Sequence, residues 1–420
     1  MGFQYLSGRA EARYKEFVEL LGPAISGGKV IPSADNDINH TIGLQFKRIT
    51  KKGLEVEYVL VPTKKNDRDI LNVFNRSDAR YDNNISCHEY YLKRSVTKDG
   101  NIIYKDKRCY NLYETCTDLR AGEDLKDIDH SCPNCGAVSK LSELSQGCPH
   151  CGTSYIMDDL YPKVTGYYLL EWMDSEGMKK YWILSIVIGM IVMTILTCIG
   201  APIIWIITGQ PFEISSLIMM PFVGASSGAI MCGFYFPIFW GLRFFIRAID
   251  VSAKTSTFGS RRKFERLMKS ISPEFSCDYF ISKAVSLIRT AVFSEDEKEL
   301  LFYEGDRLDP NMKDIIDLHY GGAFSLIEFV EKDGFVDVTL KFFMHVLYMS
   351  DDKVRLKKQL FRAGFRRRTD IPIDYGFSMT RIQCPSCGAS FNALLNKYCP
   401  YCGREYEIIT DDWVMTELTY

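Results

Sequence analysis

Residues 181–242 read YWILSIVIGMIVMTILTCIGAPIIWIITGQPFEISSLIMMPFVGASSGAIMCGFYFPIFWGL. Tyr181 to Phe212 is a run of 32 residues without a charged side chain, and after Glu213 a second run of 29 extends from Ile214 to Leu242. A helix of roughly 20 apolar residues crosses the hydrocarbon core of a bilayer, so each run is long enough to cross once. A soluble core helix that is apolar on every face over this length is rare. The reading is therefore two transmembrane helices, about 182–207 and 215–242, within a segment 181–248. Between them Thr208 to Glu213 (TGQPFE) brings a Gly and a Pro that disfavour a continuous helix. Trp182, Trp205 and Trp240 lie near the expected interfaces.

The flanks orient this hairpin. Lys179 and Lys180 precede it, and Arg243, Arg247, Lys254, Arg261, Arg262, Lys263, Arg266 and Lys269 follow it, whereas the connecting loop has no Lys or Arg. The positive-inside rule places both ends in the cytoplasm. The expectation is a multi-pass cell-membrane protein with cytoplasmic N- and C-terminal domains. Gly224-Ala-Ser-Ser-Gly228 in the second run is a small-xxx-small patch suited to close packing within the hairpin. No charge lies inside either run, which argues against an ion path or proton relay.

Whole-chain averages conceal all of this. The 420 residues carry 51 Lys+Arg against 53 Asp+Glu, a net charge of -2, with 46% hydrophobic and 25% charged residues. The mean hydropathy is -0.09. Such values exclude a disordered chain and a nucleic-acid binder driven by bulk positive charge.

Eight of the 14 cysteines fall in a pattern. Cys132-Pro-Asn-Cys135-Gly is followed by Cys148-Pro-His-Cys151-Gly, and far downstream Cys384-Pro-Ser-Cys387-Gly by Cys399-Pro-Tyr-Cys402-Gly. Each C-x-x-C turn offers two thiolates, and two such knuckles close a tetrahedral shell around Zn²⁺. Two structural zinc sites follow, in ribbons at 130–154 and 382–404. A reducing cytosol disfavours disulfides, while iron uses the same shell. Four sulfurs leave no open position for hydrolysis, and His150 inside a knuckle is a bystander.

Beyond a linker at 249–260, Ser272-Pro273 signals a helix start, and Phe280, Ala284, Leu287, Ile288 and Ala291 recur at helical spacing. A further helix is expected at Asn311 to His319. From Phe324 the texture turns to strands around a Lys-Asp-Gly hairpin, then Gln359–Arg367, Tyr375–Ile382, the ribbon and a strand over Trp413 to Tyr420. The N-terminal region, 1–175, has a helix near Ala10 to Leu21, then strand-turn-strand over Phe46 to Pro62. A hairpin of Glu89–Val96 with Ile102–Thr115 follows, then the first ribbon and a strand over Val164 to Leu170. The shared order suggests an internal duplication with a reduced first copy; the alternative is that ribbons inserted in hairpins look alike.

Pro273-Glu-Phe-Ser, Phe280, Ala284, Ile288, Ala291 and Glu295-Asp296, with Gly376-Phe-Ser-Met-Thr-Arg381 and Asp412-Trp413-Val-Met, resemble the Tim-forty-four-like domain. Bacterial relatives with a ribbon inserted before the Trp strand are similar to this arrangement. The resemblance covers about 261–420 and departs at Val292, where the family often has Trp. It implies a cone-shaped α+β domain of the nuclear-transport-factor-two type, contact with acidic phospholipids and a scaffolding role in polypeptide translocation.

No phosphate-loop, nucleophile-elbow, zinc-protease or dinucleotide fingerprint is present. Asp337 and His345, expected on neighbouring strands, are the only acid/base candidates. Lys353 to Arg368 contains eight basic residues and no acidic one. Either it is a solvated strand edge, or with the juxtamembrane cluster it holds the domain against anionic headgroups; Arg261, Arg262, Lys263, Arg366, Arg367 and Arg368 are the lipid-facing candidates. The expected protein is thus an α+β membrane protein: a transmembrane hairpin between an N-terminal β-rich domain and the C-terminal cone, each with a zinc ribbon. Its expected role is a non-enzymatic scaffold or binding module for a protein or polypeptide. The rivals are a cavity domain acting on a small molecule and a membrane-tethered ribbon that binds nucleic acid, the latter disfavoured by the few basic residues in the ribbons.

Overall fold

The computed structural model describes residues 8–63, 71–77, 81–119, 129–132, 134–144, 147–152, 162–171, 175–209, 214–255, 259–295, 300–350, 353–373, 379, 382–387, 390–394 and 396–420. Within these the chain divides into two compact units, residues 1–172 with 255–420 and residues 173–254. The two flanking regions that the sequence reading treats as separate domains thus form one unit, and the apolar hairpin is the other.

The larger unit is mixed α+β around a nine-stranded sheet. Its first half runs α1 (Gly8–Gly27), α2 (Asn36–Lys51), β1 (Leu54–Pro62), β2 (Leu71–Ser77), β3 (Tyr81–Lys98), β4 (Asn101–Leu119), a ribbon with β5 (Asp129–Ser131), β6 (Val138–Lys140) and α3 (Leu141–Leu144), then β7 (Lys163–Glu171). The second half, after the hairpin, runs α6 (Ser260–Ile271), α7 (Cys277–Phe293), β8 (Ile315–Lys332), β9 (Phe335–Ser350), β10 (Lys353–Arg368), a ribbon with β11 (Ile382–Gln383) and β12 (Ser390–Phe391), then β13 (Val414–Thr419). Each half is two helices, an antiparallel meander and a ribbon, closed by a strand that pairs back on the meander's last strand. The first half is therefore not the smaller one in helices: α2 supplies its second helix.

That helix takes in residues 46–51, the first part of the stretch expected as strand-turn-strand. Ile38, Ile42 and Ile49 fall on one buried face, the Asp35 carboxylate caps it by accepting from Asn36 N, and Lys52 ends it. Only Leu54–Pro62 is strand. Conversely, the helix expected at Asn311–His319 is one 3-10 turn, Pro310–Asp314, followed by β8. Ile315 and Ile316 are both buried because they feed cores on opposite faces of the strand, which destroys the alternation that marks a half-exposed strand. Ser272 ends α6, and the start of α7 is capped by Ser276 instead. The expected Tyr375–Ile382 strand lies mostly outside the described residues.

Both Lys-Asp-Gly turns are two-residue hairpins. Asp99 and Gly100 (φ 50° and 78°) and Asp333 and Gly334 (φ 51° and 80°) are left-handed, the type I′ geometry matched to strand twist.

The halves meet where β7 runs parallel to β8, with Leu170 opposite Tyr320. Gly322, φ 85°, lets β8 bulge here; a Cβ would come within 2.4 Å of Leu170 Cδ1. Alternate residues of β7 enter different cores: Tyr168 joins the second-half core, Tyr167 and Leu169 the first-half core.

The smaller unit is a pair of helices, α4 (Ser175–Thr208) and α5 (Ile214–Thr255). Lys179–Thr208 and Leu217–Phe239 are long and apolar enough to cross a membrane. Continuation of α5 to Thr255 takes in part of the expected linker. Gly189, Gly224 and Gly228 sit at the helix contact, where a Cβ on Gly228 would lie 2.3 Å from the Gly189 carbonyl oxygen. The small-residue patch is therefore used inside the hairpin.

Candidate metal centres and the charged seam

Local backbone forms three of the four knuckles among the described residues. Gly136 N donates to Cys132 O, Gly152 N to Cys148 O and Gly403 N to Cys399 O, all at 2.8 Å. These three glycines have φ of 74–76°, left-handed values that let the chain fold back around the sulfurs. Cys132 Sγ lies 3.7 Å from Cys151 Sγ, and Cys135 Sγ 3.7 Å from Cys148 Sγ. In the second ribbon Cys384–Cys402 and Cys387–Cys399 are each 3.6 Å apart. All four sulfurs of each set lie within 4.8 Å of one another.

A disulfide needs about 2.05 Å, so these are not bonded pairs. A tetrahedron with Zn–S bonds of about 2.3 Å has S···S edges of about 3.8 Å, close to what is observed. The donor set and spacing fit two structural Zn²⁺ sites. His150 is exposed and outside the cluster.

The two centres are built differently. Cys384 and Cys399 belong to the second-half core together with Phe391, Leu394 and Tyr406. Met379 N, just before this ribbon, donates to Asp37 Oδ2 of α2, at 2.9 Å. Cys132 and Cys148 instead form a separate small cluster with Leu144.

The sequence reading missed the charged groups that cross between halves. Arg94 on β3 is buried, bonded to Asp106 through Nε and Nη2 (3.1 and 2.7 Å) and to Asp317 on β8 through Nη1 (2.7 Å). His319 Nε2 is 2.9 Å from the same Asp317 carboxylate. Gln45 of α2 donates to Asp317 Oδ1 and to the Ile316 carbonyl. Arg48 donates to the carbonyls of Val292, Met312 and Ser294 and reaches Glu295. Ion pairs run onward from Asp106 to Arg108 and Glu171, whose carboxylate lies 2.6 Å from His345 Nδ1.

Burial pulls the Asp317 carboxyl up, but His319 and Arg94 outweigh it and hold the group well below the usual carboxylate range. Burial lowers His319, only partly opposed by Asp317. Glu171 is lowered to about 2, because His345 and Arg108 overcome its burial. A cavity beside Asp317, lined by Gln45, Tyr58, Arg94, Ile25 and Leu347, has about 10 Å³, room for about one water molecule. That is too small for a substrate.

Asp337 and His345, expected on neighbouring strands, share β9. Asp337 is bonded to Arg366 (2.7 Å) and His345 contacts Glu171, so the structure does not bring them together. Of the lipid-facing candidates, Arg262 and Lys263 are exposed on α6, and Arg261 pairs with Asp278 at 2.7 Å. Arg366 and Arg368 pair with Asp337 and Asp370. Arg367 is 2% exposed and bonded to the Ile371 carbonyl, so it cannot face lipid. Strand alternation sends it inward while its neighbours point out. A charge run read as a block hides this alternation.

No family model, no curated protein and no solved structure matches this chain.

Proposed function

We propose that the chain is a non-enzymatic, membrane-anchored zinc-ribbon protein, a scaffold or binding module on the cytoplasmic face for a polypeptide partner. The observation that carries the anchor is connectivity. Residues before and after the hairpin belong to one compact unit with one sheet, and the intervening unit presents apolar helices. A chain that leaves a folded unit and re-enters it must do so on one side of any membrane that it crosses. Two crossings satisfy this, and the Lys/Arg asymmetry assigns that side to the cytoplasm. A reducing compartment also suits eight ligand thiols.

The scaffold role rests on the Tim-forty-four-like resemblance. It is supported by a second half in which helices precede an antiparallel meander and a ribbon precedes Trp413. Exposed Arg262 and Lys263, closely following the hairpin, suit contact with anionic headgroups. Two experiments test the reading. A cysteine engineered at residue 210 should be labelled from outside intact cells, with both termini protected. Photo-crosslinking in native membranes should recover polypeptide; recovery of nucleic acid, or of a metabolite alone, refutes the scaffold.

A further inference from the structure

The basic run 353–368 divides in two once the strand register is known. Arg362, Arg366 and Arg368 are matched by Glu417, Asp337 and Asp370. Lys353, Arg355 and Lys357, exposed on one face at the start of β10, form no ion pair among the described residues. Across the ladder Lys353 faces Ser350 and Arg355 faces Tyr348. These five side chains line a concavity of about 180 Å³. Lys357 Nζ lies 4.9 Å from the centre of the Tyr348 ring.

We propose that this concavity is an anion site for a phosphate group, with Lys353, Arg355 and Lys357 as charge partners and the Ser350 and Tyr348 hydroxyls as neutral hydrogen-bonding groups. Lysines on a strand edge serve against sheet aggregation without any ligand, but that role needs no concavity. Among the described residues, Asp314 pairs with Lys52 and Asp309 accepts from Asn311 N; Asp351 and Asp352 lie outside the described residues. The volume is below the roughly 300 Å³ of the smallest drug-sized pockets, so the site suits a phosphate or pyrophosphate head and not a whole nucleotide. Arg adds a planar fork that grips two oxygens at once.

The test is calorimetric titration of the full chain in phosphatidylcholine nanodiscs with inorganic phosphate and pyrophosphate. Saturable one-to-one binding is expected, with Arg355→Ala raising Kd about tenfold or more, since a charge-assisted bond is worth ~1.5–3 kcal/mol. Tyr348→Phe should weaken binding less, and Lys332→Ala, at an exposed turn, should leave it unchanged. Adding phosphatidic acid to the nanodisc separates the sources: a rise in the apparent Kd for pyrophosphate marks a lipid headgroup, and no change marks a soluble phosphate ester. The proposal is overturned if neither anion binds saturably, or if Lys332→Ala weakens binding as much as Arg355→Ala.

Discussion

Asp317→Asn is the sharpest test of the seam between the halves. The substitution keeps the side-chain shape and an oxygen for Gln45, but removes the charge that faces Arg94 and His319 at 2.7 and 2.9 Å. The Arg94 and Asp317 side chains are 1% and 7% exposed, so bulk water cannot replace the lost partner. Two unit charges about 4 Å apart interact by about 4 kcal/mol at an effective dielectric of 20. Breaking buried pairs costs about 3–5 kcal/mol in proteins. Arg94 keeps its two bonds to Asp106, which favours the lower end, about 3 kcal/mol.

The assay is urea unfolding of the full chain in detergent, followed by hydrogen exchange in β9 and β10 for the second half and in β3 and β4 for the first. Arg94 belongs to the first half and Asp317 to the second, so both probes should report one transition at lower urea. A cost below about 1 kcal/mol, or separate transitions in the wild type, would refute the reasoning. Replacing both partners by apolar residues, Arg94→Met with Asp317→Leu, should cost less than either single change, because no buried charge is stranded.

The two metal centres should respond unequally. Cys399→Ser should lose one of two zinc ions per chain and increase hydrogen exchange through β10 and β13, since Cys399 lies in the main core. Cys148→Ser should lose one zinc but raise exchange only within residues 129–152, because its cluster is separate. In Gly22→Ala the new methyl would meet the Tyr58 carbonyl oxygen at 2.1 Å, so α1 must shift off β1; a loss of about 1–3 kcal/mol is expected in urea unfolding. Glu114 is buried with neither oxygen paired, and burial raises its pKa well above the ordinary value. A carboxyl raised on folding contributes stability below its unfolded pKa that is lost as pH rises through the folded one. Glu114→Gln should therefore gain stability over wild type as pH rises from about 5 to 8, read by thermal unfolding; a constant difference would show that the carboxyl is ionised in the fold.

Legibility followed the range of the interaction. The knuckles were readable because ligand spacing along the chain is the site itself, and all eight sulfurs converge in two sets. Both Asp-Gly hairpins were readable because turn chemistry is local. α2 was misread because Ile49 and Leu54–Val61 form a β-branched stretch whose helical portion shows only through burial against α7 and β8. Arg367 was misread because strand phase depends on a register that composition does not encode. The Arg94–Asp317 pair gave no local signal, since its partners lie 223 residues apart in the chain.

By itself the sequence determined the apolar hairpin, the two tetracysteine shells and the alternation of helical and strand segments around them. These are consequences of neighbours along the chain: hydropathy over a membrane's thickness, ligand pairs three positions apart, turn residues at positive φ. Only the tertiary structure decided that the regions on either side of the hairpin are one unit. That depends on β7 lying beside β8 and on charges from each half neutralising one another in a shared interior. Burial and strand pairing join residues regardless of their separation, so the same structure that unites the halves also separates the ion-paired arginines of β10 from three cations at its start that form no ion pair among the described residues.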